Sequence, residues 1–341
     1  MTLVHILLIF VVATVSAPAY AQLKLGESTT VEFATVDEAK EILTRRDDFV
    51  RSMSPFDRAA RMKTDRDVSE VEYLGFVGRN VLAWDEADRQ KITSALQGIQ
   101  SKLEALSLPF PKKVLIIKTT GNEEGGATYT RANTIVIPKG DLTAPTTNMQ
   151  KTICHELFHI MSRANTDLRE KLYAAIGFVK CEEVAFPSEL KSRKITNPDA
   201  PGNDHCIRLE VEGKTHWAVP ILFSRAEKYD VKREGEFFNY LQFRLLLVER
   251  DQHSSTVKTI YDGPRAKLVD LPQVHGFFEQ VGRNTEYILH PEEILADNFA
   301  LLVLQKRNLR SPEIVTKLEA ILNEKKIAEP SAPANADKPR R

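Results

Sequence analysis

Residues 153–163 read "ICHELFHIMSR", and this stretch limits the fold more than any other. Ile153, Leu157, Phe158, Ile160 and Met161 would surround a helix on nearly every side, so a helix here is a buried one. A buried helix that carries His155, Glu156 and His159 needs partners for all three. Each polar group left unpaired in a core costs roughly 1–3 kcal/mol. Some other part of the chain must therefore bring matching groups against this helix. Helix positions i and i+4 project from one face, a turn apart. His155 and His159 can thus reach one zinc ion at ~2.0–2.1 Å. Glu156 projects from the adjoining edge, where it could hydrogen-bond a water on the metal.

The third ligand decides the class. A histidine six residues beyond His159, with glycine at 162, would make the metzincin pattern. Those positions hold Asn165 and Ser162. Downstream of His159 the chain has one Glu-x-x-x-Asp, Glu293 to Asp297 in "HPEEILADNFA". With "HELFH", this resembles the gluzincin metallopeptidases, the thermolysin-like group with a distant glutamate. The resemblance implies that His155, His159 and Glu293 hold one Zn2+ per chain, with Glu156 as general base. It implies that Asp297 accepts from the outer nitrogen of His155, fixing its tautomer. Glu292 is the alternative ligand, but its i+4 neighbour is Ala296. The implied activity is hydrolysis of a peptide or protein substrate through a zinc-bound water activated by Glu156, with internal cleavage favoured over aminopeptidase action. A zinc amidase acting on a non-protein amide would share these residues. A catalytically silent zinc-stabilised binding protein would have no use for Glu156. Tyr287, His216, Tyr261 and His275 are candidate donors to a developing oxyanion, but none has motif support. Each reads more readily as a structural aromatic or a satisfied histidine, and the role stays unassigned.

The implied fold is α+β and zincin-like: a small mixed sheet, the metal helix, and helical N- and C-terminal parts. In that group the strand before the metal helix is an edge that pairs with extended substrate, a role "GGATYTRANTIVIP" could take. An ordinary internal strand is the other reading. The chain lacks the "GxMEN" segment of the aminopeptidase relatives, and its spacing from His159 to Glu293 is longer than in compact zincins. "SPFDRAAR", "LYAAIGF" and "ITNPDAP" stand out without a chemistry attached.

Residues 1–21 contain no Asp, Glu, Lys or Arg, and "AYA" at 19–21 has the small-x-small pattern of a signal-peptidase site. Export to the periplasm or beyond is expected, with no stable membrane span after cleavage. An oxidising compartment makes Cys181 and Cys206 the natural disulfide pair, with two buried free thiols as the other reading. Lys+Arg and Asp+Glu both number 47, so no global field draws the chain to nucleic acid.

The expected organisation is a helical region over 22–110, a catalytic domain over 111–326 and a disordered tail over 327–341. "TVDEAKEILTRRDDFVRSM", capped by Thr35, and "DEADRQKITSALQGIQSKLEALSL" read as helices. "KVLIIKTT" and "ATYTRANTIVIP" read as strands. Thr147, with Gln150 as capping-box partner, is the expected start of the metal helix. Residues 181–205 read as a long loop, followed by a hairpin turning near Gly213. Periodicity leaves "FNYLQFRLLLVE" open between strand and helix. "HPEEILADNFALLVLQ" and the segment from Ser311 read as the closing helices.

Overall fold

A computed structural model describes residues 23–25, 28–106, 108–251 and 254–328. The signal-like segment and the tail beyond Ala328 lie outside the described residues. Strands β1 (Leu23–Leu25) and β2 (Thr29–Phe33) precede four helices: α1 (Val36–Leu43), α2 (Asp48–Ser52), α3 (Pro55–Arg61) and α4 (Glu70–Asn80). Strand β3 (Val81–Leu82) leads into the long helix α5 (Glu86–Leu106). Then come β4 (Lys113–Thr119), β5 (Tyr129–Arg131), β6 (Thr134–Pro138) and two helices, α6 (Thr146–Ala164) and α7 (Thr166–Ala175). Next are β7 (Phe178–Lys180), β8 (His205–Val211), β9 (Lys214–Ser224), β10 (Leu241–Arg250) and β11 (Val257–Thr259). Four two-residue strands follow: β12 (Tyr261–Asp262), β13 (Arg265–Ala266), β14 (Leu268–Val269) and β15 (Val274–His275). Helices α8 (Phe277–Val281), α9 (Pro291–Val303) and α10 (Pro312–Ala328) close the chain.

The architecture is α+β. The first sheet is mixed, in the order β1-β2-β4-β6-β5, with β3 also on β4; β2, β4 and β6 run parallel. In β4, Val114 and Ile116 enter the main core while Ile117 faces a second core under α1 and α4. Both faces are covered, which explains the unbroken apolar run "VLII". The second sheet is antiparallel, ordered β11-β10-β9-β8-β15, with β7 on β8 and β14 on β10. Its β8–β9 turn is at Glu212-Gly213, both with positive φ, where the hairpin was expected. "FNYLQFRLLLVE" resolves as a 3-10 turn followed by β10.

Several local expectations need correcting. Residues 22–110 are not a separate helical region: β1, β2 and β3 belong to the first sheet, and α5 shares the main core with α6. Strands of three, five and two residues carry too little periodicity to be read. The first helical stretch is two helices. Thr35 caps α1 in a capping box with Glu38, and Asp47 accepts from Val50 N–H to start α2. "ATYTRANTIVIP" is the β5–β6 hairpin, reversed at Ala132, whose φ is 52°. Helix α6 begins at Thr146 with Pro145 at the N-cap and no side-chain cap. Gln150 instead turns onto α5, where Gly98 leaves it room: a Cβ there would meet Gln150 Nε2 at 2.1 Å. Cys181 and Cys206 are buried free thiols sharing a hydrogen bond, not a disulfide. They come together because β7 pairs Val179 with Cys206 and Cys181 N–H donates to Asp204 C=O at 2.8 Å. No helix among the described residues is long and apolar enough to cross a membrane.

Candidate metal centre

Helix α6 packs against α5 on one side and α9 on the other. Helix α9 starts at His290, whose Nδ1 accepts from Glu292 N–H at 3.1 Å, with Pro291 in the first turn. This start places Glu292 and Glu293 at a helix N-terminus, where negative charge is favoured. Both side chains are buried against α6.

His155 Nε2 lies 3.0 Å from Glu293 Oε2, and His159 Nε2 lies 3.5 Å from the same oxygen. The ligand atoms of the three residues fall within 4.8 Å of one another. His159 Nε2 is buried and has no hydrogen-bond partner. Two imidazole nitrogens aimed at one carboxylate oxygen, one of them otherwise orphaned, suit a metal ion. Their outer nitrogens are also held. His155 Nδ1–H donates to Asp297 Oδ1 at 3.1 Å and His159 Nδ1–H to Glu292 Oε1 at 3.0 Å. A carboxylate can only accept, so both Nδ1 atoms carry a proton, and with a metal bound both Nε2 atoms would give up theirs and turn their lone pairs inward.

These outer carboxylates are tied in turn. The Thr285 hydroxyl donates to Asp297 Oδ2, and Lys151 Nζ lies 3.5 Å from Oδ1. Glu292 Oε2 accepts from Ser162 Oγ at 2.8 Å and Tyr173 OH at 2.5 Å. Glu292 therefore supports His159 and is not one of the three converging donors. Tyr173, in "LYAAIGF", belongs to that support.

A loop from sheet two closes the other side. Asn197 Nδ2 donates to Glu293 Oε1 at 2.5 Å. Asn197 belongs to "ITNPDAP", and "SPFDRAAR" holds that loop. Ser54 Oγ donates to Lys194 C=O at 2.7 Å, Thr196 N–H to Asp57 Oδ2 at 2.9 Å, and Arg61 to Thr196 C=O at 2.9 Å. Arg61 is fully buried between Asp57 and Glu124, meeting Glu124 at 2.7 Å. Asp199, two residues past Asn197, joins Glu156 and His159 in a second group of donor atoms within 4.8 Å.

Strand β5 is an edge of the first sheet, yet Asp199 covers it. Thr130 N–H donates to Asp199 Oδ1 at 2.8 Å, and Arg163 takes Ala132 C=O at 2.7 Å.

The electrostatics follow from burial and pairing. Burial lowers His155, but hydrogen bonds to Asp297 and Glu293 outweigh it and raise its pKa to about 9. His159 is raised against burial by Asp199, Glu293 and its bond to Glu292. Burial, then the Asp199 carboxylate, pushes Glu156 up to about 8. Burial would raise Glu293, but the two histidines hold it well below the usual range. Asp297 is likewise held down at about 2 by His155 and Thr285, against burial.

His155, Glu156, His159, Glu293 and Asp297 are thus brought together. Of the four candidate oxyanion donors, Tyr287 stands at the site, its ring 6.3 Å from that of His155. The charge of Glu293, then burial, raises the Tyr287 pKa well above its usual value, so it keeps its proton. His216, Tyr261 and His275 lie on β9, β12 and β15 and line neither cavity beside the centre. Asn197, Asp199, Ser162 and Thr285 escaped the sequence reading. Only the conspicuous "ITNPDAP" hinted at the first two. Comparison with protein-family models, curated proteins and solved structures found no match to this chain.

Proposed function

We propose that this chain is a zinc-dependent metallopeptidase of zincin-like build, exported by its apolar N-terminal segment. The observation that carries the reading is the convergence of both Nε2 atoms on Glu293 Oε2, with Glu156 unpartnered beside them. His155, His159 and Glu293 would hold the ion, leaving a fourth position open. Bound there, zinc supplies a Lewis acid that polarises a carbonyl and makes water acidic near pH 7.

The chain's own residues do the rest. Asp297 and Glu292 hold both imidazoles in the ligating tautomer and orientation. Asn197 keeps the Glu293 carboxylate turned towards them. Glu156 Oε2 is buried and takes no hydrogen bond, so it is free to accept a proton from the attacking water and pass it to the leaving amine. Burial and the Asp199 carboxylate raise Glu156 to about 8, and the charge of a bound zinc would lower it again, so that it can take the water's proton near neutral pH and hand it on. Tyr287, protonated and with its ring 6.3 Å from that of His155, would donate to an oxyanion.

The test is the Glu156→Gln variant in a peptide-hydrolysis assay. We expect it to keep its zinc and lose at least roughly 1000-fold in rate, beyond the 100- to 10,000-fold span's lower end for acid–base catalysis alone. Full activity in that variant would remove the mechanism.

A further inference from the structure

The peptidase reading leaves the Asp199 carboxylate without a role. The Asp199 side chain is 8% exposed, and its Oδ1 is committed to Thr130. Its Oδ2 takes no hydrogen bond among the described residues. An Asp199 oxygen lies within 4.8 Å of the donor atoms of Glu156 and His159. Glu156 Oε2 is also buried and unpartnered. Two carboxylates this close and this dry repel unless a cation joins them. Arg163 meets only Oδ1, as an ion pair at 3.8 Å, while its hydrogen bonds go to the Ala132 and Asp199 carbonyls and the Thr130 hydroxyl; Oδ2 is left open to a cation.

Resting on the peptidase reading, we infer that Asp199 binds the free α-ammonium group of the substrate, so that the enzyme removes residues from an amino terminus. Reach selects this cation. An α-nitrogen is joined through one Cα to the attacked carbonyl, about 2.5 Å away given bonds of ~1.46 and ~1.52 Å. A lysine or arginine head sits on a stem several bonds longer and would overshoot a carboxylate this close to the centre.

The covered edge points the same way. A substrate that continued past its attacked residue would pair with β5, but Asp199 already holds the outward N–H of Thr130. One side chain both closes the strand and presents the charge. Beyond Asp199 lies a cavity lined by Tyr129, Leu222, Phe237 and Leu241, with the paired Arg61 and Glu124 also at its wall, into which the first side chain would point. In each turnover the first amide C–N bond breaks. The oxygen of water goes to the carboxyl of the released residue, and its proton to the new amino terminus.

The test gives the zinc-loaded protein a mixed-sequence hexapeptide library and an N-acetylated copy, with products read by mass spectrometry. The free library should shorten one residue at a time from its amino end, and the acetylated one should stay intact. Asp199→Asn keeps an oxygen for Thr130 and removes the charge. It should lose roughly 10- to 100-fold in kcat/KM, mostly through KM, a loss of the size expected for a charged hydrogen bond. Its zinc content should not change. Internal cuts in the acetylated library would overturn the inference and leave a peptidase standing. If neither library is cut, the peptidase reading fails and takes the inference with it. Zinc loss in Asp199→Asn would make Asp199 a metal ligand and overturn its assignment.

Discussion

Glu292 and Glu293 are neighbours with the same side chain, yet they serve different nitrogens. Successive helix residues are rotated by about 100°. Glu293 faces both Nε2 atoms, while Glu292 turns to the outer nitrogen of His159. Asp297, one turn after Glu293, meets the outer nitrogen of His155. This division makes graded predictions. Glu293→Ala should weaken zinc binding by several orders of magnitude in a chelator competition, and unchanged affinity would move the third ligand elsewhere. Asp297→Asn and Glu292→Gln should each cost roughly 10- to 100-fold, the usual effect of losing an outer partner. If either binds zinc like the unaltered protein, that carboxylate has no part in orienting its histidine. The sequence showed Glu293 and Asp297 through their spacing. It undervalued Glu292 because Ala296, one turn on, completes no carboxylate pair with it.

At the scale of elements, α6 and α9 were legible because helical spacing, Pro291 and the apolar run all agreed. The start of α6 was not, since Thr147 and Gln150 look like a cap until Pro145 and the opening at Gly98 are seen together. The β5–β6 reversal was hidden because Ala132, not glycine, takes the left-handed position. The loop carrying Asn197 and Asp199 reads as solvated chain. Its anchors, Ser54, Asp57 and Arg61, lie far upstream and are reached only through the fold. Arg61 should therefore matter well beyond its own helix. Arg61→Ala leaves Asp57 and Glu124 buried without their cation, a loss of about 3–5 kcal/mol in urea unfolding. A cost under about 1 kcal/mol would show that the clamp does not hold the loop.

At the scale of the whole molecule, the α+β class was readable and the boundary at 110 was not. Sheet one draws strands from both sides of it, and pairings such as β2 with β4 leave no local signal. The centre also sets how the whole fold responds to pH. Without metal, His155 is raised to about 9 and Glu156 to about 8, so the folded state binds more protons than the unfolded one between these values and the unfolded values near 6.5 and 4.3. The His155 contribution is complete below about 6.5 and fades as pH rises through 9. The metal-free protein should lose stability from pH 7 to 9. Zinc must displace the same proton, so its apparent affinity should rise about tenfold per pH unit per proton over that range and level off above it. Urea titrations with and without zinc should show the two curves separating as pH rises. Parallel curves would mean that the histidines are neutral before the metal arrives.

The most direct test of the metal centre is anomalous scattering at the zinc edge from crystals of the zinc-loaded protein. We predict one strong peak per chain, at ~2.0–2.1 Å from His155 Nε2 and His159 Nε2 and within ~2.2 Å of a Glu293 carboxylate oxygen. A peak held by Glu156 and Asp199 instead, or no peak between α6 and α9, would contradict the account.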